Sequence, residues 1–231
     1  NIDIYERYVQ IQTKSSIDAK TIKVLNPKEV VFEGGRELEL DAVSEVPRYY
    51  VCNAYGVCGI YSAPGTAVKE AYDTSGIVTN DRGVTVWLKG NRVSRNQIMA
   101  IKEESVTEQK NSLAVCLDNI LRHAGITRNT EYDLAQGKTA TTILSENMTG
   151  VQVLDLSGCT LDAVLYYVNQ DIPVLAILED GEAVLVTGFN EFNVVIMEPA
   201  TGKLYKKGMN DATAWFAENG NHFITYMRIE N

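Results

Sequence analysis

Reactive side chains are scarce in these 231 residues. There are two histidines, His123 and His222, so any step that needs an imidazole base must use one of them. Four cysteines, Cys52, Cys58, Cys116 and Cys159, allow three full pairings. Cys52 and Cys58 flank a turn at Tyr55-Gly56, where a hairpin would set them face to face. Cys116 and Cys159 fall together further along. The partition favours Cys52–Cys58 and Cys116–Cys159 as bridges. None of the spacings is that of a CxxC zinc or redox motif, and neither histidine is placed near a cysteine pair. No metal and no cofactor is expected. Cys116 stands on the apolar stripe of a helix, which makes it a nucleophile, a bridge partner or a buried inert thiol. His123 adjoins a helix end at Gly125 and suits a partner of the C-terminal dipole. His222 suits a surface or strand-edge position.

The elements that must place these groups come in three stretches. Residues 1–46 are expected to form a small β unit. Tyr8–Gln12 and Thr21–Val24 alternate, and Val30–Phe32 and Leu38–Leu40 flank Gly34-Gly35, a hairpin turn. Residues 47–91 follow as a ββαββ module. Its strands are Tyr49–Tyr55 and Val57–Tyr61, then a helix capped by Ser62 with an early Pro64, then Gly76–Thr79 and Val84–Leu88 around Asp81-Arg82-Gly83. Residues 92–108 are polar and mixed, as in a linker. From 109 to 231 the rhythm changes. Ser112 is expected to cap a helix carrying Leu113, Cys116, Leu117, Ile120, Leu121 and Ala124 at helical spacing, ended by Gly125. A short helix over Thr139–Glu146 and one capped by Thr160 come next. The apolar runs Val174–Leu178, Ala183–Val186 and Val194–Met197 follow, then a helix opened by Asn210 and the strand Phe223–Met227. Helices followed by a mostly antiparallel sheet make the fold class α+β.

Three segments of 109–231 resemble one family. They are Asn111-Ser-Leu-Ala-Val-Cys116-Leu-Asp-Asn-Ile-Leu121, Gly181-Glu-Ala-Val-Leu-Val-Thr-Gly-Phe189 and Val194-Val-Ile-Met-Glu198-Pro-Ala-Thr-Gly202. Together they are similar to the C39-like bacterial cysteine peptidases, whose fold is papain-like. The resemblance implies a nucleophilic cysteine at a helix start, a histidine opening the second segment and an aspartate before Pro-Ala-Thr-Gly. Cys116 takes the first position. Glu182 stands where the histidine belongs and Glu198 where the aspartate belongs. An oxyanion donor is implied six residues before the cysteine, where Lys110 stands with Gln109 beside it, and Leu117 replaces the following glycine. In 47–91, Arg48-Tyr-Tyr-Val51 followed by a helix over Ser62–Tyr72 faintly resembles the peptidoglycan-binding SPOR modules.

The departures bear on the chemistry. A carboxylate at 182 cannot become the imidazolium that pairs with a thiolate, and a nearby anion raises a thiol pKa. Glu182 and Glu198 as an acid–base pair would need a glycosidase-like cleft. The expectation is a degenerate, non-catalytic peptidase-like domain that binds or scaffolds a peptide or peptidoglycan. An active cysteine peptidase using Cys116 and a structural spacer of a larger surface protein are the alternatives.

Charge and composition narrow the partners. The net charge of −9 gives no electrostatic drive toward nucleic acid or an anionic membrane. The balance steps from about −1 over residues 1–105 to −8 over 106–231, which places a domain boundary near 105. No run reaches the roughly 18 apolar residues of a membrane span. The chain opens at Asn1 without a signal or cleavage site. The expectation is a mature exported fragment, extracellular or at the cell surface, tethered through a segment outside this chain.

Overall fold

The computed structural model describes residues 22–26, 29–32, 37–39, 47–90 and 111–229. Strands β1 (Ile22–Asn26), β2 (Glu29–Phe32) and β3 (Glu37–Glu39) form an antiparallel meander in that order. Glu29 pairs with Glu39, Val30 with Leu38 and Val31 with Glu37. The expected strand at Tyr8–Gln12, the linker 92–108 and the oxyanion candidates Gln109 and Lys110 lie outside the described residues.

The expected ββαββ order is present as β4 (Tyr49–Cys52), β5 (Cys58–Tyr61), α1 (Pro64–Thr74), β6 (Ile77–Asn80) and β7 (Thr85–Leu88). The sheet runs β5-β4-β6-β7. Pro64 starts α1, where a missing N–H costs nothing. Its cap position is Ala63 without a side-chain bond, not Ser62. Asn53 holds the β4–β5 turn by accepting from the N–H groups of Tyr55 and Val57 at 2.9 and 3.0 Å. The register sets Cys52 opposite Cys58, and the two form a disulfide.

The larger unit contains α2 (Ser112–His123), α3 (Glu131–Ala135), α4 (Ala140–Asn147), β8 (Val151–Asp155), α5 (Leu161–Val168) and β9 (Val174–Ile177). It continues with β10 (Ala183–Phe189), β11 (Asn193–Met197), β12 (Leu204–Gly208), α6 (Met209–Glu218) and β13 (His222–Arg228). The sheet order is β12-β11-β10-β9-β13-β8, antiparallel throughout, so the fold is α+β. Every residue of β10 is buried. A half-buried strand would alternate, so β10 is covered on both faces. α2 and α5 supply that cover. The stripe of α2 buries Ala114, Cys116, Leu117, Ile120 and Leu121, each large apolar side chain contributing about 1.5–3 kcal/mol.

The two units share one core. Tyr49, Val51, Val78 and Trp87 belong to the same hydrophobic cluster as Leu154 and Tyr167. Trp87 Nε1 donates to the Ala163 carbonyl at 3.0 Å, and Tyr72 donates to Asp162 at 3.0 Å. Asn80 donates to Gln152, which donates in turn to the Tyr49 hydroxyl. Gly65 sits so close to the end of β8 that a Cβ there would lie 2.9 Å from the Ser157 carbonyl oxygen. The step in charge near 105 therefore does not separate two independent cores.

Candidate functional site

Asn111 caps α2, its side chain accepting from the N–H groups of Leu113 and Ala114 at 2.9 and 3.3 Å. Ser112 is thereby the first helical residue rather than the cap. Its freed hydroxyl accepts from the Ala183 N–H at 3.0 Å, joining the start of α2 to the start of β10. Cys116 lies four residues on, about 6 Å along the axis at 1.5 Å per residue, and is 0% exposed. Burial pushes its thiol far above the ordinary range, and the Glu182 charge pushes the same way. The residue at the helix start, where the dipole would favour a thiolate, is a serine.

The carboxylates come from the same end of the sheet. Glu182 is exposed and follows Gly181, whose φ of +85° shapes the β9–β10 turn. Its N–H donates to Asp180 at 3.0 Å. Glu198 directly follows β11, whose Met197 pairs with Leu185 of β10. Its carboxylate accepts from the Thr201 hydroxyl at 2.8 Å, and its backbone closes the Pro199–Gly202 turn onto Lys203. Glu198 thus braces the turn into β12.

Neither imidazole serves the thiol. His123 ends α2, seven residues and about 10 Å along the helix from Cys116. Its Nε2 lies 2.8 Å from the Asp171 carbonyl oxygen, so that nitrogen carries the proton. His222 opens β13 and is exposed. It pairs with Ile177, which pairs with Ala183, so two strand spacings of about 4.8 Å separate it from the start of β10.

The second expected disulfide is absent: Cys116 and Cys159 are both free and buried. Cys116 packs in the apolar face of α2, whereas the Cys159 thiol donates to the Gly65 carbonyl at 3.3 Å, under α1. Burial raises the Cys159 pKa to about 12. Both shifts make stability pH-dependent with a definite sign. A thiol whose folded pKa is raised stabilises the fold fully below its unfolded pKa, near 8.5, and loses that contribution as pH rises toward the folded value. Urea midpoints should fall steadily from about pH 9 upward. Replacing Cys159 by Ser should flatten the slope. A midpoint level from pH 8 to pH 11 would contradict the burial of both thiols.

Ser112 was not legible as a site residue, because Ser is equally at home as a cap; only the Asn111 bonds decide between them. Among the described residues, no three His, Cys, Asp or Glu side chains group as metal ligands, and no helix is long and apolar enough to cross a membrane.

No protein-family model matches the chain, and no curated protein sequence matches it. Among solved structures, a crystal structure from Bacillus anthracis described as a C39-like peptidase superposes with a TM-score of 0.49 at 13% identity. It covers 62% of this chain and 100% of that one. At that identity and score the likeness carries no argument about activity.

Proposed function

We propose that this chain is a non-catalytic binding domain on a cysteine-peptidase-like scaffold, with a peptide or cell-wall component as partner. The scaffold reading rests on the Gly181–Phe189 and Glu198–Gly202 segments. The absence of catalysis rests on one observation above all: Cys116 is sealed in the apolar face of α2, one turn inside the helix start. A carboxylate at 182 and a histidine bonded to Asp171 leave that thiol no base. The Cys52–Cys58 bridge favours an oxidising compartment, hence an extracellular or surface location.

Incubating the full chain with bacterial cell-wall sacculi and with an immobilised peptide library tests the reading. Retention on one of them without bond cleavage is expected. Turnover of a peptide that is lost in Cys116→Ala would replace this reading with that of an active peptidase. No retention on either would leave a structural spacer.

A further inference from the structure

The sheet β5-β4-β6-β7 has two unlike faces. Register puts Tyr49, Val51, Val78 and Trp87 on one of them, and all four are buried in the core shared with α1 and α5. The opposite face is crossed by a row of Cys58, Cys52, Ile77 and Leu88, each paired with the next. The next row sets Tyr50 between Ile60 and Thr79. No charged side chain stands in either row, and Ile77 and Leu88 are 49% and 39% exposed. An antiparallel sheet face that stays in water is polar, so this face has the composition of one that is covered.

The chain carries a segment of matching form. In the β1-β2-β3 meander, register places Ile22, Val24, Val30, Phe32 and Leu38 on one face. Lys23, Glu29, Glu37 and Glu39 fall on the other. A single layer with an apolar face needs a second layer to bury it. Residues 40–48 join β3 to β4. They can span about 30 Å at roughly 3.3 Å per residue, against about 10 Å between stacked sheets. We infer that the open face of β5-β4-β6-β7 is the docking surface for the chain's own β1-β2-β3 meander, apolar face to apolar face. The carboxylates of the meander then face water. The short tether keeps the meander at a high effective concentration beside this face, which an outside partner must exceed. A second copy in its place would bring together two chains of net charge −9.

Cross-linking in the full chain tests this. Val30→Cys and Thr79→Cys are introduced together and treated with a short bis-maleimide. Cys116 and Cys159 are buried, so the native thiols react slowly. Val31→Cys with Thr79→Cys is the comparator, because position 31 lies on the other face of the meander. The Val30 pair is expected to form an intrachain link at least about ten times faster than the Val31 pair. Amide hydrogen exchange on the unaltered chain gives a second readout that no substitution can disturb. Amides of residues 22–39 should exchange at least about a hundred-fold more slowly than in an unfolded chain. Equal linking rates for the two pairs overturn the inference. Links formed only between chains overturn it too and make a second copy the occupant. Exchange of residues 22–39 at the unfolded rate overturns it and leaves the face to an outside partner.

Discussion

Replacing Ser112 by Cys is expected to create a thiol that alkylates at neutral pH at least about a hundred times faster than Cys116 in the same folded protein. The two positions differ by one helical turn and by everything that controls thiol reactivity. Position 112 is half-buried at the N-terminus of α2, where the helix dipole favours an anion. Position 116 is fully buried among Leu117, Ile120 and Leu121. Glu182 opposes the dipole at both places, so adding Glu182→Gln should speed alkylation of the new thiol further. The same Glu182→Gln change alone should leave Cys116 slow, because burial, the larger cause of its shift, persists. Residue-resolved mass spectrometry after timed iodoacetamide exposure measures all three rates. A new thiol at 112 as slow as Cys116 in a folded variant would mean that the helix start is closed.

Trp87→Ala is expected to cost about 3–5 kcal/mol, the range for removing a buried large aromatic. In a chain of this size that lowers the melting temperature by about 10 °C, at roughly 2–4 °C per kcal/mol. Trp87 is 2% exposed, contacts the rings of Tyr72 and Tyr166, and its indole N–H is the partner of the Ala163 carbonyl. Trp87→Phe keeps most of the apolar surface but removes the indole N–H bond to that carbonyl, which belongs to the backbone of α5, for a loss of about 0.5–1.5 kcal/mol. Because the ββαββ module and the larger unit share a core, each variant should unfold in one transition at a lower midpoint. A separate early transition of the module, with the remainder unmoved, would show that residues 47–90 fold alone.

What the sequence disclosed depended on how local each signal is. The α2 stripe, the hairpin that faces Cys52 with Cys58, and the run from Ala183 to Val186 that opens β10 are set by periodicity and turn chemistry within about a dozen residues. Strand β12 escaped notice because Lys206 and Lys207 make it look like a loop, and such charges are how an edge strand is kept from pairing. Strand β8, the other edge, is covered instead by the module through Asn80 and Gln152. Contacts such as Trp87 with Ala163 join residues 76 apart, and no local pattern announces them. At the candidate site Glu182 and Glu198 stand out only through the family resemblance of their segments, Gly181–Phe189 and Val194–Gly202. The sequence places the helix start at Ser112, one residue from its Asn111 cap, and Cys116 lies one turn further in.

The proposed function makes Cys116 a packing element and not a nucleophile. Alkylation of Cys116 in the unaltered, folded chain at neutral pH tests it most directly, followed residue by residue over hours. Cys116 should be modified no faster than the protein globally unfolds, and promptly once denaturant is added. Complete modification of Cys116 within minutes in the folded protein, with a rate that levels off below pH 8, would reveal an activated thiolate and contradict it.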